Sequence, residues 1–177
     1  MEKTFMMYLV GISGSGKTTI ANALEKELRK CDIEKLQIID GDIIREQFGG
    51  IFGYTYEERM KCNQVVRVVI DYLIRNGISV VLAQVAAYEE MRQKMKAQFV
   101  ENYIEVYVKC SYEECARRDV KGYYNKQQRE EIRNLNGADD VYEVPQNSQV
   151  VVDTEKESVE ESVQKILQYL KEKHYVI

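Results

Sequence analysis

The sequence predicts an α/β fold built on a mostly parallel sheet. Three observations carry this. Strand-like and helix-like segments alternate along the chain. A glycine-rich loop stands where the first strand-like run meets the first helical one. The 177 residues suit one domain with a sizeable core, and no internal repeat, low-complexity tract or interdomain linker interrupts them.

Met6–Val10 is a short apolar run and reads as the first strand. Thr18–Lys30 follows as a helix, because Ile20, Leu24 and Leu28 recur every four residues. Lys35–Asp40 reads as a second strand. Glu57–Asn76 carries the apolar pairs Val65/Val66, Val69/Ile70 and Leu73/Ile74, a helical pattern with Gly77 as its C-cap. Ile78–Val85 is a third, buried strand and Tyr88–Glu101 a charged helix. Tyr103–Cys110 and Val150–Asp153 read as the fourth and fifth strands. Ser158–Lys173 is an amphipathic helix with Val159, Val163, Ile166, Leu167 and Leu170 on one face. Parallel strands require right-handed crossovers and align their carboxyl ends on one edge, where open sheets bind ligands.

Residues 11 to 18 read Gly-Ile-Ser-Gly-Ser-Gly-Lys-Thr, the G-x-x-x-x-G-K-[ST] spacing of a phosphate-binding loop. Gly11, Gly14 and Gly16 let the backbone curl and approach a ligand closely. The inward N–H groups of a loop that includes Ser13 and Ser15 form an anion nest. The positive end of the following helix adds to that field. Lys17 reaches the β- and γ-phosphates, and the Thr18 hydroxyl is placed to ligate Mg²⁺.

Bulk properties exclude several classes. The net charge of −4 supplies no global field for a nucleic-acid polymer or an anionic membrane, and no stretch approaches transmembrane length. The short apolar run before Gly11 is a strand and not a signal peptide. Four scattered cysteines read as reduced, mostly buried thiols in the cytoplasm. His174 is the sole histidine, so histidine-based catalysis or metal binding is not expected.

Phosphoryl-transfer sites of this kind need an acid near the metal. The third strand ends without one, in Ala83-Gln84-Val85-Ala86-Ala87. The acids follow the second strand instead, as Asp40-Gly41-Asp42, with Arg45 three residues on. Such a cluster is a turn at a strand end when read alone. Beside the glycine loop it reads as catalytic. Residues 117–145 hold few large aliphatics and many cations, among them Arg117, Arg118, Lys121 and Arg133. They read as a mobile lid over the phosphates.

These residues resemble the adenylylsulfate kinase family nearly end to end. Gly11–Thr19 looks like the family's phosphate loop, and Asp40-Gly41-Asp42-Ile43-Ile44-Arg45 like its D-G-D-N-x-R segment. Gly53-Tyr54-Thr55 with Glu58-Arg59, Asn63 and Arg67 is similar to G-F-S…D-R…N…R. Arg118-Asp119-Val120-Lys121-Gly122-Tyr123-Tyr124 resembles R-D-P-K-G-L-Y. Gly137-Ala138-Asp139-Asp140-Val141-Tyr142-Glu143 resembles G-I-D-D-P-Y-E. The resemblance implies transfer of the ATP γ-phosphoryl group to the 3′-hydroxyl of adenosine 5′-phosphosulfate, on a P-loop fold with a five-stranded parallel sheet. It implies ATP binding by the loop residues, Thr19 and Arg118, and Mg²⁺ on Thr18 and Asp40. It makes Lys17 and Asp42 catalytic. It places the nucleotide acceptor against Arg45, Tyr54, Arg59, Asn63, Arg67, Lys121 and Leu135, and it implies a homodimer. Planar arginines suit an anionic acceptor, because they offer bidentate hydrogen bonds.

The departures from the family pattern fall at the acceptor. Ala86 stands where some members carry a phosphorylatable serine, Glu89 replaces an arginine, and Ile43 an asparagine. Leu135 replaces a phenylalanine that stacks on the acceptor base. Two alternatives therefore stand beside adenylylsulfate. One is a kinase for another nucleotide 3′-hydroxyl, such as cytidine diphosphoramidate. The other is a nucleotide-binding switch with little turnover.

Overall fold

The computed structural model describes residues 3–176. Five parallel strands form one sheet in the order β2-β3-β1-β4-β5. They are β1 (Met6–Val10), β2 (Leu36–Asp40), β3 (Ser79–Gln84), β4 (Tyr103–Lys109) and β5 (Val150–Asp153). β1 is central, with Val10 level with Gln84 of β3 and Tyr107 of β4. The chain crosses from one side of β1 to the other between β3 and β4. The carboxyl end of β1 is therefore the switch point at which such sheets open a crevice.

Alternation along β1 divides the core. Met7 and Leu9 pack on one face against α1 (Lys17–Lys30) and α7 (Val159–Glu172), through Leu24, Leu28, Ile166 and Leu170. Met6, Tyr8 and Val10 face α3 (Tyr56–Arg75) and α4 (Glu89–Gln98), meeting Cys62, Val66, Ile70 and Met95. Both faces being covered explains why β1 and the middle of β3, residues 80–83, are apolar. A smaller cluster of Ile12, Cys110, Cys115 and Tyr124 anchors the glycine loop from below.

Three short helices lie outside the sequence expectation: α2 (Gly41–Gln47), α5 (Tyr112–Arg118) and α6 (Tyr123–Gln128). α2 starts because the Asp40 carboxylate caps it, accepting from the Asp42 N–H at 2.8 Å. The same Asp-Gly-Asp that reads as a turn is thus a helix start. α6 lies within the cationic segment of residues 117–145, and α5 ends at its start. The rest of that segment is heavily tied: the Asp139 carboxylate accepts from the amides of Asn134 and Leu135, and the Glu143 amide donates to the Ala87 carbonyl at 2.8 Å.

Candidate active site

The glycine loop joins β1 to α1, and its conformation follows from its glycines. Gly14 and Gly16 have φ of +80° and +99°, values that cost little only without a Cβ. At Gly11 a Cβ would meet the Val108 carbonyl oxygen at 2.4 Å and Ser15 Oγ at 2.7 Å. Gly16 is the N-cap of α1 and offers no side-chain cap. The first-turn amides are thus left for an anion. The Lys17 ammonium lies at the loop, donating to the carbonyls of Gly11 and Ile12 at 2.8 and 2.7 Å. Burial lowers its pKa to about 8, opposed by Asp42. A half-buried ammonium beside uncapped amides fits a triphosphate. Ser15 is fully buried, and its carbonyl accepts from Thr154 Oγ1 at 2.9 Å.

The Thr18 hydroxyl donates to Asp40 Oδ2 at 2.7 Å. Asp40 Oδ1 is the α2 cap, so one carboxylate is fixed at both oxygens. Among the described residues no group of three or more His, Cys, Asp and Glu is placed to hold a metal. A divalent ion here would use the Thr18 hydroxyl, Asp40 and substrate phosphate oxygens, the oxygen set that Mg²⁺ prefers. The donor chemistry fits. Asp42, two residues after Asp40 and in the first turn of α2, is ion-paired with Lys121 from the segment between α5 and α6.

Two adjoining cavities share this corner. The outer one, about 700 Å³, is lined by Gly14, Gly16, Lys17, Thr18, Thr19, Asp42 and Lys121, among others. The inner one, about 300 Å³, contains Ser13, Lys17, Thr18, Asp40 and Asp42 at one end and Tyr54, Arg59 and Leu135 further along. The capping box of α3 fixes the loop before it: Thr55 and Glu58 bond reciprocally. A Cβ at Gly53 would meet Glu58 Oε2 at 2.3 Å, so a larger residue there would push the Glu58 carboxylate out of the box. Two guanidinium groups flank the Tyr54 ring, Arg45 at 5.0 Å and Arg59 at 5.3 Å. Arg45 donates to the Gly53 carbonyl at 2.5 Å. Arg59 donates to the Tyr54 carbonyl at 2.8 Å and the Asn134 carbonyl at 2.6 Å, tying together the two loops that carry Tyr54 and Leu135.

Three expected site residues lie elsewhere. Asn63 is fully buried beneath the cavity, donating to Tyr8 Oη at 3.3 Å. Arg67 donates to Gln98 at 3.0 Å and lines neither cavity. Both follow Arg59 on one helical face, but that face runs away from the site. At 1.5 Å per residue, Arg67 is about 12 Å along the axis from Arg59. Arg118 also lines neither cavity. Its guanidinium is spent on Glu114 at 2.8 Å and on Thr154 at 3.2 and 2.8 Å, so it braces the glycine loop through Thr154. Glu89 is neutralised by the buried Arg92 at 2.5 Å. Ala86 does line the cavity, with a strained φ of +49°.

Sequence reasoning missed Gln84, Tyr123 and Asn136, all of which line the inner cavity. Gln84 had a signal: it is the polar terminus of an otherwise apolar strand.

A family model described as adenylylsulphate kinase matches residues 3–153. An adenylyl-sulfate kinase of Oceanobacillus iheyensis is 38% identical over 176 residues, covering 99% of this chain and 88% of that protein. A probable adenylyl-sulfate kinase of Archaeoglobus fulgidus is 40% identical over 153 residues, covering 86% of this chain and 97% of that one. The Mycobacterium tuberculosis APS kinase CysC, solved in complex with AMPPNP and APS, superposes with a TM-score of 0.89. Its identity is 26%, over 97% of this chain and 99% of that one.

Proposed function

The chain belongs to the adenylylsulphate kinase family. From that premise we propose that it transfers the γ-phosphoryl group of ATP to the 3′-hydroxyl of adenosine 5′-phosphosulfate. The observation that carries the reading is the corner shared by the two cavities, where Lys17, Thr18, Asp40 and Asp42 line both. A phosphate donor in the outer cavity and a nucleotide in the inner one would meet there.

Phosphoryl transfer asks the protein for position and for positive charge around the spreading negative charge. In this reading the loop amides hold the triphosphate, and Lys17 leaves its own loop carbonyls to grip the transferring group. Thr18 and Asp40 would hold Mg²⁺, which when bound would neutralise phosphate charge. Lys121 releases Asp42 and turns to the phosphates. Asp42 then accepts a hydrogen bond from the attacking 3′-hydroxyl and orients it. Arg45 and Arg59 hold Tyr54 as a platform for the base, opposite Leu135. The four free thiols, three of them buried, support a reducing, cytoplasmic setting. Exposed Val68, Val69 and Tyr72 on the outer side of α3 support a homodimer.

A second acceptor, cytidine diphosphoramidate, is favoured by one observation: the cavity that Tyr54 lines also carries the aliphatic Leu135, which suits a smaller base than a second aromatic ring would. The test follows ADP release with Mg·ATP and each acceptor in turn. Adenylylsulfate-dependent ADP formation is expected. Turnover with the cytidine compound alone moves the assignment to it. ADP formation indifferent to both acceptors replaces the kinase reading with a nucleotide switch.

A further inference from the structure

Tyr123 is the first residue of α6 and lines both the inner and the outer cavity. The other side chains that line both and can donate a hydrogen bond are Lys17, Thr18, Arg45, Tyr54 and Lys121. Lys17, Thr18, Arg45 and Lys121 already donate within the protein. The Tyr54 and Tyr123 hydroxyls make no hydrogen bond among the described residues. Tyr54 presents its ring between two guanidinium groups. Tyr123 is half-buried, yet its hydroxyl is open to solvent and not sealed in the core.

The backbone under Tyr123 is held from two sides. The two oxygens of the Asp119 carboxylate accept from the amides of Tyr124 and Asn125, at 3.0 Å each. The buried Tyr124 donates its hydroxyl to the Ser13 carbonyl at 2.7 Å, which anchors the first turn of α6 to the glycine loop. Tyr123 is thus positioned by the phosphate-binding loop itself. Burial raises the pKa of its phenol, and the Asp42 carboxylate raises it further. The group stays protonated at neutral pH and offers a hydrogen. A positioned donor without a partner, at the corner where phosphate donor and acceptor would meet, suits an oxygen that gathers negative charge.

We propose that the Tyr123 hydroxyl is a catalytic group, donating a hydrogen bond to an oxygen of the phosphoryl group in transfer. No proton changes hands. The bond stabilises charge on that oxygen while the phosphorus passes from ATP to the acceptor hydroxyl. The R-D-P-K-G-L-Y pattern carries leucine at this place, so the contact is a departure of this chain from that pattern. The inference rests on the phosphoryl-transfer reading and adds a residue to it.

The test compares the full chain with Tyr123→Phe, which removes the hydroxyl and keeps the ring, and with Tyr123→Leu, which removes both. With Mg·ATP and adenosine 5′-phosphosulfate, kcat should fall about tenfold to a hundredfold in each, as for loss of a hydrogen bond to a charged group. KM for either substrate should stay within about threefold, because the bond matters most in the transition state. Calorimetry supplies a readout without turnover. Affinity for Mg·ADP with tetrafluoroaluminate, a mimic of the group in flight, should fall about tenfold or more in Tyr123→Phe, while affinity for Mg·ADP alone holds. Melting temperatures should match the wild type, since the hydroxyl bonds nothing in the protein. Unchanged kcat and mimic affinity in Tyr123→Phe, a loss confined to Tyr123→Leu, or a large drop in the melting temperature of Tyr123→Phe overturns the proposal. So does a wild type that binds the mimic no tighter than Mg·ADP. A wild type that holds the mimic through Tyr123 but turns over no adenylylsulfate sinks the acceptor assignment only.

Discussion

Thr18 and Asp40 are 22 residues apart, and the hydroxyl of one donates to the carboxylate of the other at 2.7 Å. The contact joins the first turn of α1 to the end of β2 across the mouth of the sheet. It also gives Asp40 two duties, because its other oxygen caps α2. Substitution separates them. Asparagine caps a helix about as well as aspartate, so Asp40→Asn should cost under about 0.5 kcal/mol of stability, while Asp40→Ala costs about 1 kcal/mol. Both should lower turnover by about a hundredfold or more, because the charge is lost in each. Denaturant unfolding and steady-state rates measure the two effects. Full activity in Asp40→Asn would remove Asp40 from the metal corner.

Lys17 is half-buried at the loop and donates to the backbone carbonyls of Gly11 and Ile12 at 2.8 and 2.7 Å, with Ser15 Oγ further off at 3.5 Å. Lys17→Ala should reduce turnover by at least about a hundredfold, equivalent to about 3 kcal/mol of lost stabilisation. Near-normal rates in a folded Lys17→Ala protein would contradict the mechanism.

The Asp42–Lys121 pair is partly exposed, with side chains at 43% and 38%, and such pairs contribute about 0–1 kcal/mol to stability. Asp42→Asn and Lys121→Met should therefore melt close to the wild type. Their rates should nonetheless fall, by about a hundredfold or more for Asp42→Asn if the carboxylate orients the hydroxyl. A large drop in melting temperature with unchanged turnover would make the pair a structural brace.

Leu135 lines the inner cavity with Tyr54. Leu135→Phe restores a second aromatic wall, and an aromatic pair is worth about 0.5–1.5 kcal/mol beyond its area. Affinity for adenylylsulfate should rise by a corresponding factor of about two to ten. Unchanged affinity would place position 135 away from the base.

Cys31 is half-buried, whereas Cys62, Cys110 and Cys115 are buried. Burial pushes the Cys115 thiol up to about 12, helped by its neighbour Cys110. Its thiolate is therefore scarce at neutral or mildly alkaline pH. Titration of the native protein with Ellman's reagent should show one fast thiol, Cys31, and all four after unfolding. Fast modification of Cys115 would show that the cluster under the glycine loop opens readily.

The strands are legible in the sequence because each is a short apolar run between turn residues, and α1, α3 and α7 because their stripes are long. The glycine loop is legible because its spacing is a mechanical requirement. α2, α5 and α6 are not: they are six or seven residues long, too short for a stripe, and their starts come from Asp40, Ser111 and Gly122. Arg59 and Tyr54 are readable from a motif, but the distance along α3 that carries Asn63 and Arg67 out of reach is a property of helix rise. Arg118 misleads for another reason, because a cation in a charged segment does not disclose that Thr154 and Glu114 already hold it. Gln84 ends an apolar strand and so leaves a trace in the sequence, whereas Asn136 reaches the cavity only through the fold of its loop.

Transfer to a nucleotide hydroxyl would take place at the corner where the two cavities meet. The most direct measurement is a single turnover with γ-labelled ATP, Mg²⁺ and adenosine 5′-phosphosulfate, with the products separated and the labelled position identified. The account predicts label on the 3′-oxygen of the acceptor, formed in step with ADP and abolished in Lys17→Ala. Label appearing only as inorganic phosphate, at a rate indifferent to the acceptor, would contradict it.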